Sequence, residues 1–451
     1  MAISAAAQAP SSDEDAFYIK NIYTKTLTEG RAYDWLRDLC AKAPGRISGS
    51  AEAAAGVIFT KQVLDSLGLD TVYLQPCIVP HWVRGEQEQA KIVGSASQGD
   101  LNLNILALGN SVATPLQGIT ASVIEVKSLD EVEKLGEKVR GKIVFFNRPM
   151  DAAQISTFAA YGGAVDQRVK GPAVAGRYGA AAVIVRSMAS RLDDFPHTGV
   201  TVYDEKGAQI PAVAVSTNDA EKLSALLKVE KEVRVFIKTN CKDFGKTTSY
   251  NVIGEIRGSK NKNEIILVGG HLDAWDVGKG AHDDGAGCVQ SMQVLYGLRK
   301  MGYKPNRTLR CVLFMNEENG LAGGTEYARI SNERNEFHLA CIESDAGGFT
   351  PRGFHTEGDE SIFIDKMKKL TKWSSLLETY DITISKGGSG ADISPLKSQK
   401  GLLIGLRPDS QRYFDVHHTT NDVIENVHPR ELHLGAAAMT ALVYLMDKYG
   451  L

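Results

Sequence analysis

The stretch HLDAWDVGKGAHDDGAG, residues 271–287, places histidines and aspartates between glycine-rich turns, directly after the apolar run IILVGG. A solvated loop can have this composition by chance, whereas a metal site requires it. Imidazole nitrogens and carboxylate oxygens are the usual zinc ligands where thiolates are absent. The choice between the two interpretations depends on which residues follow the later strands.

Three later strand-like runs lead into residues of the same kinds. RTLRCVLFMN (307–316) precedes two glutamates, ACIES (340–344) precedes an aspartate, and GLLIGL (401–406) precedes a loop, RYFDVHHTTND, with two adjacent histidines. In an open α/β sheet, ligands bind beyond the carboxyl ends of the strands. Any one of these residues alone is more simply explained as a solvated loop residue, but ligands after each of these strands favour a metal site. We predict five ligands for two zinc ions: His271, Asp283, Glu318, Asp345 and His418.

The expected chemistry is metal-assisted hydrolysis. Asp283 precedes a helix start and is best placed to bridge two ions about 3.5–4 Å apart. Neighbouring side chains at a strand end diverge, so one of Glu317 and Glu318 is predicted to bind metal and the other to act as general base toward a water whose pKa the metal lowers to about 7. Asp273 is predicted to orient the imidazole of His271 through its second ring nitrogen.

Other polar residues of these loops have more than one interpretation. Asp276 and Asp284 are interpreted as surface or helix-capping residues. His417 either lines the pocket or packs beside His418. A glycine-rich loop is either a simple turn or a segment whose backbone approaches a ligand; it consists of Gly388, Ser389 and Gly390.

Segments of different character must position these residues. Residues 14–68 have helical periodicity, and the face predicted to be buried consists of Ala32, Trp35, Leu36 and Leu39. From about residue 81 to residue 245, short strands and turn clusters dominate. From residue 246 onward, apolar strands alternate with helices. This alternation predicts an α/β fold with a mostly parallel or mixed central sheet and helices on both faces.

The length and the charge of the chain limit its domain number and the classes of protein to which it can belong. A chain of 451 residues is too long for one ordinary core, which indicates two or three domains. The net charge is -3 and no basic cluster stands out, which argues against a nucleic-acid partner. No apolar run approaches the roughly 18 residues that span a bilayer. Dinucleotide, serine-hydrolase and Walker motifs are absent from the sequence.

The six cysteines contain no CxxC pair, which argues against a cysteine zinc site. Cys288, Cys311 and Cys341 stand in apolar runs and are predicted to be buried free thiols. Cys77 and Cys241 either form a disulfide or are free. The N-terminal MAISAAAQAPSSDEDA has the small residues of a signal-cleavage site without a basic region or an apolar core, so it is either a trimmed export signal or a tail.

The combined motifs HLDAWDVGKGAHDDGAG, FMNEENG, ESDAGG and HHTTND resemble those of the co-catalytic di-zinc exopeptidases, a family that includes aminopeptidases and glutamate carboxypeptidases. Further segments extend the likeness over all but about the first dozen residues: PHWVRGE (80–86), GKIVFFNRP (141–149), PHTGV (196–200) and YNVIGEIRGS (250–259). The resemblance implies a phosphorylase/hydrolase-like catalytic domain built from residues 1–80 and 246–451. It also implies that residues 81–245 form an inserted, β-rich, protease-associated-like cap domain.

The resemblance also implies roles for individual residues. His271 and Asp345 would hold one zinc ion, and Glu318 and His418 the other, with the shared ligand and the acid/base being Asp283 and Glu317. His418 is chosen over His417 because the family's ligand stands four residues before an aspartate, here Asp422. Many relatives have tyrosine at position 417, where a hydroxyl stabilises the tetrahedral oxyanion, and His417 is expected to donate the same hydrogen bond. The glycine-rich loop Gly388–Gly390 would lie near the substrate.

The expected function is hydrolysis of short peptides or dipeptides with free termini by a zinc exopeptidase. The resemblance implies a homodimer, and a secreted or periplasmic location is expected. Charge and the length of the apolar runs predict no nucleic-acid partner and no membrane span. Preference for the amino end, the carboxyl end or dipeptides stays open. The alternatives are a catalytically inactive receptor-like or scaffolding relative, which would lack several ligands, and a single-zinc glutaminyl cyclase relative, which would lack the large insertion.

Overall fold

The computed structural model describes residues 12–205 and 207–451. Of the N-terminal segment interpreted as a trimmed export signal or a tail, residues 1–11 lie outside the described residues and residues 12–16 belong to the first helix. The helices of the described part are α1 (Ser12–Glu29), α2 (Ala32–Lys42), α3 (Ala51–Ser66), α4 (Leu129–Leu135), α5 (Thr157–Gly162), α6 (Asp166–Val169), α7 (Gly171–Arg177), α8 (Thr217–Val229), α9 (Ala286–Lys300), α10 (Ala322–Glu333), α11 (Glu360–Thr371), α12 (Ser374–Glu378) and α13 (Pro429–Tyr449). Short 3-10 helices also occur, at Gly136–Val139, Ser394–Gln399, Tyr413–Asp415 and Ile424–Asn426.

Within the described residues the strands form two eight-stranded sheets. They are β1 (Thr71–Val83), β2 (Gln89–Ser95), β3 (Gly99–Leu103), β4 (Ile105–Ala107), β5 (Ile119–Val126), β6 (Ile143–Phe146), β7 (Ala182–Arg186), β8 (Ala212–Val215), β9 (Arg234–Lys238), β10 (Lys242–Ile256), β11 (Asn261–His271), β12 (Arg307–Phe314), β13 (Phe337–Glu343), β14 (Pro351–Glu357), β15 (Thr383–Lys386) and β16 (Leu402–Pro408). The first sheet has the order β1-β10-β12-β11-β13-β16-β14-β15, and the second has the order β3-β2-β9-β5-β6-β7-β8-β4.

The first sheet is mixed, with four adjacent parallel strands in its middle. Strands β12, β11, β13 and β16 run parallel, whereas β1, β10 and β14 join antiparallel neighbours. These four strands are buried along most of their length because helices cover both faces. The predicted α/β class with a mixed central sheet and an additional β-rich sheet is confirmed. The carboxyl ends of the four parallel strands meet at one edge, where the candidate ligands follow them.

The helices on one face share a core with the sheet. The predicted inner face of α2 is buried, at Ala32, Trp35, Leu36 and Leu39. Helix α9 buries Cys288, Met292 and Leu295 and packs against α13. The prediction of buried free thiols at Cys288, Cys311 and Cys341 is confirmed, and Cys77 and Cys241 are buried free thiols as well.

Two strands of the first sheet extend slightly into residues 81–245, the segment predicted to form the cap domain. Strand β1 continues to Val83 and β10 begins at Lys242, and both belong to the first sheet. The strands of the second sheet all lie between Gln89 and Lys238. The division of the chain at residues 80/81 and 245/246 stays a prediction. No helix among the described residues combines the length and the hydrophobicity needed to cross a lipid bilayer.

Candidate metal centre

His271, the last residue of β11, presents one ring nitrogen to two carboxylates. Its Nε2 lies 3.2 Å from Oδ1 of Asp283 and 3.3 Å from Oδ1 of Asp345. Its Nδ1 lies 3.0 Å from the main-chain carbonyl oxygen of Asp273. Donation from Nδ1–H to that carbonyl leaves the lone pair of Nε2 directed at the carboxylates, as metal ligation requires.

His418 is arranged in the same way on the other side of Asp283. Its Nε2 lies 3.2 Å from Oδ2 of Asp283 and 3.1 Å from Oε2 of Glu318. Its Nδ1 lies 3.2 Å from the main-chain carbonyl oxygen of Thr198. The two oxygens of one carboxylate therefore face two different histidines, and each histidine has a second carboxylate beside it.

The charges of this cluster fit cations. Burial alone would lower the pKa of His418, but the carboxylates of Glu318 and Asp283 raise it to about 10. Burial, followed by the charge of Asp283, raises the pKa of Glu318 to about 7. Oδ2 of Asp283 and Oε1 of Glu318 are buried without a hydrogen-bond donor among the described residues. Unpaired buried carboxylate oxygens are costly, and the donor set of imidazole and carboxylate is one that zinc accepts.

Backbone contacts fix the position of Asp283. Asp422 accepts hydrogen bonds from the main-chain N–H groups of His282, at 2.6 Å, and of Asp283, at 3.1 Å. The guanidinium of the fully buried Arg46 donates to main-chain carbonyl oxygens of the loop that begins after His271. Both residues stabilise the loop conformation that brings Asp283 between the two histidines. Arg46 was not recognised from the sequence, since a single arginine in the loop between two helices gives no signal.

Asp273 contacts the second ring nitrogen of His271 through its main-chain carbonyl oxygen and not through its carboxylate. The carboxylate instead accepts hydrogen bonds from the main-chain N–H groups of Asn316, Glu317 and Glu318, at 2.6, 3.0 and 3.3 Å. Because β11 and β12 are neighbours, this side chain reaches across to the adjacent strand end. It holds the turn that carries both glutamates.

Asp284 is the helix cap that one of its two interpretations predicts, whereas Asp276 fits neither. Asp284 caps the start of α9 by accepting from the N–H of Gly287, at 2.8 Å, and it also accepts from the N–H of His271. It is fully buried, so the surface interpretation is wrong. Asp276 is neither a helix cap nor a free surface residue, because it forms an ion pair of 2.7 Å with Arg84 just beyond β1.

Glu317 lies on the same turn as Glu318. Burial raises the pKa of Glu317 well above its usual range, and the carboxylates of Asp345 and Glu318 act in the same direction. A carboxyl group with a raised pKa can carry a proton near neutral pH, as an acid/base catalyst must.

His417 packs against His418, with ring centroids 3.5 Å apart, and its Nε2 lies 3.7 Å from Oδ2 of Asp283. Its ring also makes an edge contact with the ring of Tyr161, which lies in α5 of the segment between the two parts of the first sheet. Burial lowers the pKa of His417 well below its usual range, and the charge of His418 adds to this effect. His417 is therefore a neutral imidazole beside the cluster. It contacts the proposed ligands His418 and Asp283 on one side and Tyr161 on the other.

A cavity of about 710 Å³ lies beside the cluster and includes Asp345 in its wall. The predicted glycine-rich loop contributes Gly388, Ser389 and Gly390 to the same wall. The hydroxyl and N–H of Ser389 both donate to Oε1 of Glu357, at 2.7 and 2.9 Å, which fixes the loop on the sheet. The loop therefore lies where a molecule bound next to Asp345 would meet it.

Comparison with known proteins gives consistent results. Residues 251–443 match the sequence profile of peptidase family M28. Carboxypeptidase Q from Bos taurus and from Homo sapiens are each 33% identical to this chain over 95% of its length and 88% of theirs. The crystal structure of a peptidase M28 precursor from Shewanella amazonensis superposes with a TM-score of 0.90 at 32% identity, covering 97% of both chains. A zinc aminopeptidase from Bacillus subtilis, 21% identical, shares the fold with a TM-score of 0.64 over 93% of this chain and 95% of its own.

Proposed function

Since this chain belongs to peptidase family M28 and is a metalloexopeptidase, we propose that it uses two zinc ions to hydrolyse short peptides or dipeptides with free termini. The observation that carries the proposal is the shared carboxylate of Asp283, whose two oxygens each lie 3.2 Å from the Nε2 of a different histidine. One carboxylate between two histidines is the arrangement that a pair of ions needs.

His271 and Asp345 would hold one ion, and Glu318 and His418 the other, with Asp283 between them. When bound, the two zinc ions would supply Lewis acidity, which lowers the pKa of water and polarises a carbonyl group. The carbonyl groups of Asp273 and Thr198 keep both histidines in the tautomer that leaves Nε2 free.

Glu317 is proposed as the acid/base. It takes a proton from the attacking water as the water oxygen forms a bond to the scissile carbonyl carbon. It returns the proton to the departing nitrogen as the carbon–nitrogen bond breaks, so the products are a carboxylic acid and a free amine. His417, a neutral imidazole beside Asp283, is proposed to donate a hydrogen bond to the oxyanion that develops on the carbonyl oxygen.

The cavity beside Asp345 supports the proposal that the substrates are short peptides. One side of its wall comes from the first sheet, and the other comes from Ile155, Ser156 and Phe158, which precede or lie in α5. A wall contributed by residues 81–245 supports the proposed role of this segment as a cap that limits substrate length. A volume of about 710 Å³ is in the range of small-molecule sites, about 300–1,000 Å³.

A secreted or periplasmic location and a homodimer complete the proposal, and both rest on the family resemblance. Fractionation of the producing cells tests the location, and light scattering of the purified protein tests the dimer. A cytoplasmic monomer would contradict both.

Elemental analysis combined with a dipeptide panel tests the catalytic proposal. We expect about two zinc ions per chain and cleavage of free dipeptides in preference to the same dipeptides blocked at both ends. Full activity in metal-free protein would contradict the metal mechanism. Faster cleavage of the blocked peptides would indicate an endopeptidase instead.

A further inference from the structure

The cavity beside the metal centre contains a positive charge that the proposed mechanism does not use. Arg407, near the end of β16, lines the same wall as Asp345 and the glycine-rich loop. Strand β16 lies directly beside β13, whose carboxyl end leads into Asp345.

Asp345 and Arg407 follow the same register pair of strands β13 and β16. Glu343 pairs with Gly405 across the parallel strands, and Asp345 and Arg407 each stand two residues further on. Side chains alternate along a strand, and paired residues of neighbouring strands point to the same face. The absence of a side chain at Gly405 lets the glycine-rich loop lie directly on the sheet, because a Cβ atom there would be 2.5 Å from the carbonyl oxygen of Ser389. Arg407 follows Gly405 by two residues on β16, and its side chain lines the same cavity as Asp345.

The other charged groups of the wall already have partners. Arg352 forms an ion pair of 3.0 Å with Asp409. Glu343 accepts a hydrogen bond of 3.0 Å from the main-chain N–H of Ile393. The carboxylates of Asp409 and Glu343 are therefore engaged by these partners and do not neutralise Arg407.

Arg407 itself has no carboxylate partner among the described residues. Its Nη2 donates to the hydroxyl of Thr383, at 2.9 Å, and to a main-chain carbonyl, at 3.4 Å. Its Nε is buried and donates no hydrogen bond to any described residue, and its Nη1 likewise contacts no acceptor there. A guanidinium in this state favours an anion from outside the chain, and a carboxylate is the anion whose planar geometry it matches best.

We propose that Arg407 binds the free α-carboxylate of the substrate's C-terminal residue, so that the cavity holds the residue released on the amine side of the scissile bond. This inference rests on the proposed function and deepens it. It makes the protein a carboxypeptidase or a dipeptidase rather than an aminopeptidase. The exposed side chains of Ile155 and Phe158 give the cavity an apolar rim, which favours an apolar C-terminal residue.

Binding of leucine and of leucinamide to the zinc-loaded protein, measured by calorimetry, tests the inference without turnover. We expect the wild-type protein to bind leucine about 10- to 100-fold more tightly than leucinamide. Arg407→Gln is expected to remove this preference, and Arg407→Lys is expected to keep part of it, because lysine retains the charge without the planar donor pair. Arg329→Gln, which changes an exposed arginine of α10 with partners on its own helix, serves as the matched control and should behave as wild type.

The kinetic arm compares alanyl-leucine with its C-terminal amide. For Arg407→Gln, kcat/KM should fall about 10- to 100-fold for the free acid, mainly through KM, and change little for the amide. Unchanged zinc content and melting temperature in this variant would exclude a folding defect. A variant that still prefers the free acid, in binding or in cleavage, would overturn the inference. Preferential binding of leucine that depends on Arg407, without any peptide cleavage, would instead support this subsite while contradicting the proposed function.

Discussion

Thr198 holds His418 through two main-chain contacts. The N–H of Thr198 donates to the carbonyl oxygen of His418, at 3.0 Å, and the carbonyl oxygen of Thr198 lies 3.2 Å from Nδ1 of its ring. His418 has a φ of +61°, in the left-handed region that a residue with a side chain seldom adopts. Such a conformation persists only where neighbouring groups enforce it. The segment between the two parts of the first sheet therefore fixes both the backbone and the ring of a proposed metal ligand.

Substituting the glycine that follows Thr198 should weaken one metal position. Gly199 has a φ of +133°, and a Cβ atom there would lie 2.4 Å from the guanidinium of Arg168, which is itself buried. Gly199→Ala should shift the main chain of Thr198 and release the His418 ring. Loss of such a supporting contact typically lowers metal affinity by about 10- to 100-fold. After dialysis against a weak chelator, the variant should retain about one zinc ion per chain where the wild type retains about two.

Gly136→Ala is the matched control for this experiment. Gly136 also has a positive φ, +51°, but no atom lies within 4 Å of the position that its Cβ would occupy. This variant should lose some stability and keep its zinc. Equal zinc contents in the two variants would show that Thr198 does not support the site.

Asp283 and Asp345 should differ in how many metal positions they affect. Asp283 contacts both histidines, whereas Asp345 contacts only His271 among the ion-pair contacts of the described residues. Asp283→Asn should therefore weaken zinc binding at both positions, and Asp345→Asn at one. Zinc titration followed by calorimetry distinguishes one altered binding step from two. Two unaltered steps in Asp283→Asn would contradict the bridging role.

The strand-end residues could be predicted because two general rules locate them. Apolar runs mark the buried strands, and parallel strands bring their carboxyl ends to one edge, so side chains far apart in sequence converge there. His271, Asp283, Glu318, Asp345 and His418 meet in this way in the structure. These residues could be recognised as candidate metal ligands because histidine, aspartate and glutamate are the residue types that bind zinc.

Contacts made by the main chain could not be predicted in the same way. The carbonyl group of Thr198 is 220 positions from His418 and would be the same for almost any residue type. The direction of the Asp273 side chain depends on how the chain turns after β11, which the residue spacing does not specify. The unpaired state of Arg407 depends on the positions of Asp409 and Glu343, and only coordinates reveal it.

Asp15 should make the stability of the fold depend on pH. Its buried carboxylate, on α1, accepts hydrogen bonds from Tyr444, Lys448 and Tyr449 of α13, at 2.7, 2.8 and 2.6 Å. Burial opposes the charge, but these hydrogen bonds outweigh it and lower the pKa of Asp15 below its usual value. A lowered pKa in the folded state means that the folded protein binds fewer protons at this group than the unfolded chain does. The stabilisation is therefore present above a pH of about 3.9 and is lost as the pH falls through the folded pKa.

Asp15→Asn should lower the free energy of unfolding by about 1.5–3 kcal/mol at pH 7, the usual range for hydrogen bonds to a charged group. The difference from wild type should shrink as the pH falls below about 4. Denaturant unfolding at several pH values measures it. Asp65→Asn, which removes an exposed partner of Lys61, should cost no more than about 0.5 kcal/mol. A loss in Asp15→Asn that is independent of pH would contradict the assignment.

Glu317→Gln should separate catalysis from metal binding. Glu317 and Glu318 are adjacent, but only Glu318 contacts His418, so the amide at position 317 should leave both metal positions intact. Glutamine is nearly the same size and cannot exchange a proton, so kcat should fall by about 10²- to 10⁴-fold.

Glu318→Gln is the contrasting variant, because it changes a proposed ligand of the second ion and should lose zinc together with activity. Dipeptide kinetics and elemental analysis on the same samples decide between the two roles. Lost zinc in Glu317→Gln would make Glu317 a ligand, and wild-type turnover in a fully loaded Glu317→Gln would assign the proton transfer to another group. The neighbouring positions distinguish the two functions because the N–H groups of both residues are held by the carboxylate of Asp273, so either substitution leaves the main chain of the turn in place.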